Sequence, residues 1–269
     1  MRRAVVFPGQ GTAGGDVSGE VREAVQKVCG DSEIPYQLAV FAGSVSTYRG
    51  LEERSYGADV VAGHSLGEYA AAHVAGSLGL VDAARLVAER DRLMSEASRE
   101  EPGGMIAVIG ADAREILAAV QEVGGSVVAA NFNTPRQVVI SGAKQPLEEV
   151  AERIKGKKRA LDVAGAFHSP LMQGAAVAMD GLLAEVTLED PTIPMVSGVD
   201  GAVLAKADDV RLALRDQMLS PVRWVAVVER LGALGVEEVV EAGGGTLVRM
   251  LRDFKDVNMR GRAAEELLA

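Results

Sequence analysis

Val61-Ala62-Gly63-His64-Ser65-Leu66-Gly67-Glu68-Tyr69 is the stretch whose reading decides the fold. Within it, Gly63 to Gly67 fits G-x-S-x-G, the pattern of a serine held on a tight strand-to-helix turn. Upstream, Ala58-Asp59-Val60-Val61-Ala62 reads as a short buried strand, and downstream Glu68 to Ala75 reads as a helix with a small-residue face. Such a turn crowds the backbone, so small residues are required at Gly63 and Gly67. The helix that starts just after Ser65 aims unpaired N–H groups and its positive dipole end at any oxyanion formed there.

Working outward, Arg3 to Phe7 is an apolar run that ends in Pro8-Gly9-Gln10-Gly11, a strand entering a glycine-rich loop. Val17, Val21, Val25 and Val28 have helical spacing. A second helix is expected over 34–49, with Pro35 early enough that its missing N–H does no harm. A third runs from Leu80 through Met94, with Ala83, Leu86, Val87 and Met94 on its apolar face. Strand and helix alternate, so the class is α/β with helices on both faces of a parallel sheet. From Gly103 the texture changes. Strands at 104–110, 126–131, 137–141 and 159–163 enclose helices at 112–123 and 146–154, the β-α-β-β-α-β order of a ferredoxin-like domain. Strands resume at 191–199 and 236–241. Residues 104–164 therefore read as a small domain inserted into a large one made of 1–103 and 165–269.

Composition narrows the function. The 269 residues are 48% hydrophobic but only 4% aromatic, so Ala, Val, Leu and Ile must build the core. A net charge of −10 argues against nucleic acid as a partner. The apolar stretches are strand-length or broken by charges, so no membrane span and no membrane partner is expected. The lone cysteine, Cys29, cannot form an internal disulfide and suits the cytoplasm. Three scattered histidines and one cysteine offer no metal cluster.

A serine hydroxyl is a poor nucleophile without a base. His64 adjoins Ser65 and is expected to point away across the turn, while His73 lies two helical turns further on. His168, in Gly165-Ala166-Phe167-His168-Ser169-Pro170, remains by elimination. Gly9-Gln10-Gly11-Thr12-Ala13-Gly14 matches G-x-G-x-x-G, but the chain breaks at 30–35 before the second strand that a dinucleotide site needs. The better use of this loop is a backbone N–H for the oxyanion. Arg90 follows Leu86 and Val87 by four and three residues and precedes Met94 by four. It therefore lies on the apolar face, whereas Arg85 and Arg92 project from the other side. An inward arginine needs an anionic partner.

Five separated motifs together resemble the malonyl-CoA:acyl carrier protein transacylase family, the acyltransferases of fatty acid and polyketide synthesis. They are Phe7-Pro8-Gly9-Gln10-Gly11, Gly63 to Glu68, Leu86 to Arg90, Asn131-Phe132-Asn133-Thr134-Pro135, and Gln217 with Ser220-Pro221-Val222-Arg223-Trp224. The resemblance covers nearly the whole chain and implies an α/β hydrolase-like large domain. It also implies ping-pong transfer of malonyl from malonyl-CoA to the phosphopantetheine thiol of acyl carrier protein through a malonyl-Ser65 ester. His168 becomes general base and then acid, oriented by the main-chain carbonyl of Gln217, and the N–H groups of Gln10 and Leu66 form the oxyanion hole. Arg90 clamps the malonyl carboxylate, with a bidentate fit that suits a guanidinium. His64, Asn131, Asn133 and Phe167 complete the substrate site. Phe167 beside the base, with Leu66 after the nucleophile, favours malonyl over its α-methyl analogue. No bound cofactor is implied; the coenzyme A thioester is substrate.

Departures from the family pattern fall at Ala13, where a polar residue is usual, in a shortened Gly14 to Pro35 segment, and at Glu241-Ala242-Gly243-Gly244-Gly245. The densest basic run, Arg153 to Arg159, reads equally as a carrier-protein contact or a solvated turn. Rival readings are a polyketide-type acyltransferase with another acyl preference, a serine thioesterase or hydrolase, and an idle carrier-binding module.

Overall fold

Ten strands fall into two sheets in a computed structural model that describes residues 1–11 and 17–269. They are β1 (Arg3–Phe7), β2 (Val60–Gly63), β3 (Gly103–Ile109), β4 (Val128–Thr134), β5 (Gln137–Ala143), β6 (Lys157–Ala160), β7 (Met195–Val196), β8 (Val203–Leu204), β9 (Glu238–Glu241) and β10 (Arg260–Ala263). The larger sheet has the order β10-β9-β1-β2-β7-β8, parallel throughout except for the β7–β8 pair. The smaller sheet is antiparallel, in the order β4-β5-β3-β6. The expectation of an α/β protein with a parallel sheet holds.

The apolar runs of β1 and β2 show why they sit in the middle. Every residue of Ala4–Phe7 and Val60–Gly63 is buried, as a strand covered on both faces requires. Their side chains alternate between two cores. Val5, Phe7 and Val61 join the cluster under helices Tyr36–Glu53 and Leu80–Glu100, while Ala4, Val6, Val60 and Ala62 pack with Trp224, Val227 and Leu231 of helix Trp224–Ala233.

Element boundaries shift in instructive places. Helix Tyr36–Glu53 begins two residues later than expected, since Pro35 is extended, and both it and Leu80–Glu100 run past their expected ends. β6 lies earlier than the 159–163 reading, because its ladder pairs Lys157–Ala160 with Ile106–Ile109. Leu161 and Val163, whose apolar character drew the reading there, face a cleft instead. Strands β8 and β10 and helices Gln173–Glu185, Ala207–Asp216 and Trp224–Ala233 escaped the sequence reading, although the last begins on Trp224 of the fifth motif. Thr12, Ala13, Gly14 and the start of the shortened segment lie outside the described residues, apart from Val17 onward.

Two features place a cleft between the sheets. The parallel strands all end on one edge, so the loops after β1, β2 and β9 converge there, as ligand-binding loops do in open α/β sheets. On the far side, Asn131 and Asn133, two apart on β4, share the side that lines the cleft, and the strand carries irregularities between Ala129 and Asn131 and between Phe132 and Thr134. β4 is also tied to the larger unit, since Phe132 N–H donates to Val222 O and Val222 N–H to Ala130 O, both at 2.8 Å.

Candidate active site

Ser65 stands on the turn between β2 and helix Gly67–Val74, with φ at +53°, a left-handed conformation that costs energy for a residue with a side chain. Glycines make it attainable. A Cβ on Gly63 would stand 2.1 Å from Glu68 N, and one on Gly67 would stand 2.1 Å from Phe7 O. The turn is closed by Gly67 N–H to His64 O and Glu68 N–H to Ser65 O, both 3.0 Å. Helix Gly67–Val74 thus starts directly behind the hydroxyl.

His168 reaches the same point from the other side. It too is left-handed, at φ +58°, and its backbone is fixed by Ser169, whose hydroxyl donates to Ala166 O at 2.6 Å and accepts from Leu171 N–H at 3.3 Å. Nε2 lies 2.8 Å from Ser65 Oγ. Nδ1 lies 2.8 Å from Gln217 O and 3.2 Å from Ser220 O. Carbonyls only accept, so Nδ1 carries the proton and Nε2 presents its lone pair to the serine. Burial, and then the nearby Arg90 charge, lower the His168 pKa to about 3, so the ring is neutral at rest.

Arg90 is 1% exposed. Nη1 donates to Gln37 Oε1; Nη2 donates to Ser65 Oγ at 3.0 Å and to Gln217 Oε1 at 3.4 Å. Every one of these acceptors is neutral. Among the described residues Arg90 Nε and Gln217 Nε2 have no hydrogen-bond partner. Burial pushes the guanidinium pKa down, the expected response of a cation held dry without a counter-ion. Among the described residues no hydrogen-bonded partner of the guanidinium is an anion.

The remaining residues separate into distinct surroundings. His64 bonds through Nε2 to Asn133 Oδ1 at 2.9 Å and lies against the Trp224 ring, with centroids 5.5 Å apart; burial lowers its pKa. Asn133 in turn donates to Gln137 Oε1 at 2.8 Å. His73 is away from the site, with Nδ1 2.9 Å from Leu78 O. Gln10, Asn131, Asn133, Phe167 and Ser65 line a cleft of about 1120 Å³. Leu66 does not: its side chain is buried in the large core, and its backbone stands at the head of helix Gly67–Val74. Any effect of residue 66 on acyl choice is therefore indirect.

Sequence reasoning passed over Gln37, and it quoted Ser220 and Glu68 within motifs without giving either a role. Gln37 had a signal, for it occupies the row of Phe41 and Tyr48 on a buried helix face, where a polar side chain needs a partner. Ser220 acts through its carbonyl, which has no sequence signature. Glu68, 1% exposed, accepts from Gly198 N–H at 2.7 Å, and burial raises its pKa to about 8. No group of three His, Cys, Asp or Glu side chains able to hold a metal occurs among the described residues.

A left-handed serine at the head of a helix, a neutral histidine on its hydroxyl and a dry, unneutralised arginine beside both define an enzyme of the acyl-transfer class. Residues 32–244 match the acyl transferase domain family, and the chain belongs to it. It is 40% identical over 249 residues to a malonyl CoA-acyl carrier protein transacylase of Haemophilus influenzae, covering 86% of this chain and 80% of that protein. The crystal structure of MCAT from Streptococcus pneumoniae superposes with a TM-score of 0.91 at 30% identity, covering 99% of both chains. A malonyl-transacylase in complex with its type II PKS acyl-carrier protein superposes at 0.88 with 31% identity, covering 98% of this chain and 96% of that one.

Proposed function

We propose that this acyltransferase moves a malonyl group from malonyl-CoA to the phosphopantetheine thiol of an acyl carrier protein, by ping-pong chemistry through a Ser65 ester. The observation that carries the reading is the buried Arg90 guanidinium, 3.0 Å from Ser65 Oγ and surrounded by neutral acceptors. A malonyl carboxylate supplies the missing anion, two carbons from the reacting carbonyl.

In the first half, Ser65 Oγ attacks the thioester carbon while His168 Nε2 takes its proton; Gln217 O and Ser220 O stabilise the Nδ1–H side of the imidazolium. The N–H groups of Gln10 and Leu66 receive the oxyanion. Collapse breaks the C–S bond, His168 returns the proton to the departing thiolate, and coenzyme A leaves as the thiol. The second half runs this sequence in reverse with the carrier thiol as nucleophile, restoring the Ser65 hydroxyl. Phe167, on the cleft wall next to His168, occupies the volume an α-methyl branch needs. One methyl is worth about 1–3 kcal/mol of discrimination. His64, Asn131 and Asn133 form the opposite wall.

The strand order β4-β5-β3-β6 supports a ferredoxin-like small domain over 104–164, inserted into an α/β hydrolase-like domain of 1–103 and 165–269, with catalysis in the cleft between them. No helix among the described residues is long and apolar enough to cross a membrane. A cytoplasmic enzyme without a bound cofactor is the reading we favour. Transfer is favoured over thioester hydrolysis because His168 leans on two carbonyls rather than on an acidic third member. The test is labelled malonyl-CoA with and without holo-carrier: transfer supports the proposal, and hydrolysis or no acylation overturns it.

A further inference from the structure

The loop that follows β1 is held on both sides of Gln10. Before it, a Cβ built on Gly9 would stand 2.9 Å from His64 O, so the loop lies directly against the turn that carries Ser65. After it, Gly11 is left-handed at φ +93°, and its N–H donates to the Tyr36 hydroxyl at 2.8 Å. The amide between the two is treated differently. Among the described residues nothing accepts from Gln10 N–H, nor from Leu66 N–H next to Ser65.

The apolar core makes no use of the Tyr36 ring, which is 48% exposed and stands on the cleft wall with Gln10 and Gly11. Its place is set by helix Tyr36–Glu53, of which it is the first residue, and that helix packs on helix Leu80–Glu100. The next residue, Gln37, accepts from Arg90 Nη1. Consecutive side chains at the head of one buried helix therefore hold the arginine of the site and the loop beside its nucleophile.

Such a hold matters because the loop cannot supply it. Gln10 has glycine on either side, and glycine leaves the backbone free to turn. An amide serves an oxyanion only where its N–H points at the developing charge, and an ångström of misplacement can cost about 10²-fold. Tying down Gly11 N–H fixes the peptide that joins it to Gln10.

We propose that Tyr36 is a positioning residue for acyl transfer: its hydroxyl, by holding Gly11 N–H, keeps the neighbouring Gln10 N–H aimed at the oxyanion. The inference rests on the reading that Ser65 is acylated. It makes Tyr36 indifferent to the acyl tail, since every thioester develops the same oxyanion.

The experiment is Tyr36→Phe, which keeps the ring and removes only the acceptor, beside Tyr36→Ala. The saturating single-turnover rate of acylation by malonyl-CoA should fall at least about fivefold in Tyr36→Phe, with half-saturation within about twofold of wild type. Malonyl-CoA and acetyl-CoA should decline in parallel, so the ratio of their kcat/KM values stays put. Phosphonylation of Ser65 by an alkyl fluorophosphonate, which displaces fluoride and sets a phosphoryl oxygen where the oxyanion forms, should slow by a similar factor. Tyr36→Ala should match Tyr36→Phe, because the hydroxyl carries the role. An undiminished rate, a loss confined to KM, a shifted acyl ratio, unaltered phosphonylation, or an Ala variant far slower than the Phe variant overturns the positioning role. Wild-type protein that takes no acyl group on Ser65 strikes the functional reading instead.

Discussion

Arg90 and Arg92 stand two residues apart on one helix and meet opposite fates. Arg92 is exposed and reaches Glu89 at 2.9 Å and Glu96 at 2.8 Å. Arg90 is buried among Gln37, Ser65 and Gln217, with no carboxylate in the set. Other surface cations follow Arg92: Arg153, Lys206 and Arg215 find carboxylates there, while Arg90, buried behind Ser65, hydrogen-bonds neutral groups alone. Folding alone favours the first arrangement, since an unpaired buried charge is costly. The lesson is that a buried guanidinium bonded only to neutral groups, unlike its paired neighbour at the surface, marks a place where an anionic substrate group fits.

The harshest challenge to this contrast is at the atom Arg90 touches. Ser65→Ala should abolish malonyl labelling, seen as the absence of an adduct in intact-protein mass spectrometry; a stoichiometric adduct means another residue is acylated. Next in size, His168→Ala should slow acylation by about 10²–10⁴, while His73→Ala, bonded to Leu78 O outside the cleft, leaves single-turnover rates nearly unchanged. Equal effects would assign the base wrongly.

The contrast itself is tested by pairing Arg90→Ala with Arg92→Ala. Loss of a buried charge partner typically costs about 2–5 kcal/mol. The ratio of kcat/KM for malonyl-CoA to that for acetyl-CoA should therefore fall at least about tenfold in Arg90→Ala. In Arg92→Ala both constants should stay within about twofold. A parallel decline of both substrates in Arg90→Ala makes that residue structural.

The smallest expected effect concerns Glu68. Its folded-state pKa, near 8, lies above the unfolded value, so the folded protein binds the extra proton. Stability from this group is complete below about pH 4.5 and is lost as pH rises through about 8. Glu68→Gln, which keeps an acceptor for Gly198 N–H, should flatten the fall in Tm between pH 6 and 8 while leaving activity at pH 7 within a few-fold. An unchanged slope assigns the pH dependence elsewhere.

Much of this was legible before any coordinates. The alternation that predicts an α/β class needs only apolar periodicity, and β1 and β2 are buried runs that no other element type explains. Arg90 could be turned inward from its spacing to Leu86, Val87 and Met94, because helical geometry fixes which residues share a face. His168 came from elimination among three histidines, and the structure sets it 2.8 Å from Ser65. The illegible parts act through the backbone or through length. Ser220 contributes a carbonyl, β4 bulges at two points, and β8 is a two-residue strand. None of these leaves a side-chain pattern. Leu66 shows the opposite failure, a residue beside the nucleophile whose side chain faces the core.

Arg90 has a consequence beyond gripping a carboxylate. Its charge is one of the causes that hold His168 far below the ordinary range of histidine, so the resting base is weak. Burial is the larger cause and the arginine the second, so an anion on the guanidinium offsets one part of the depression and leaves the other in place. The guanidinium therefore bears on the base as well as on the substrate, and the pH–rate profile of acylation, besides the acyl preference, is a place where its removal is expected to be felt.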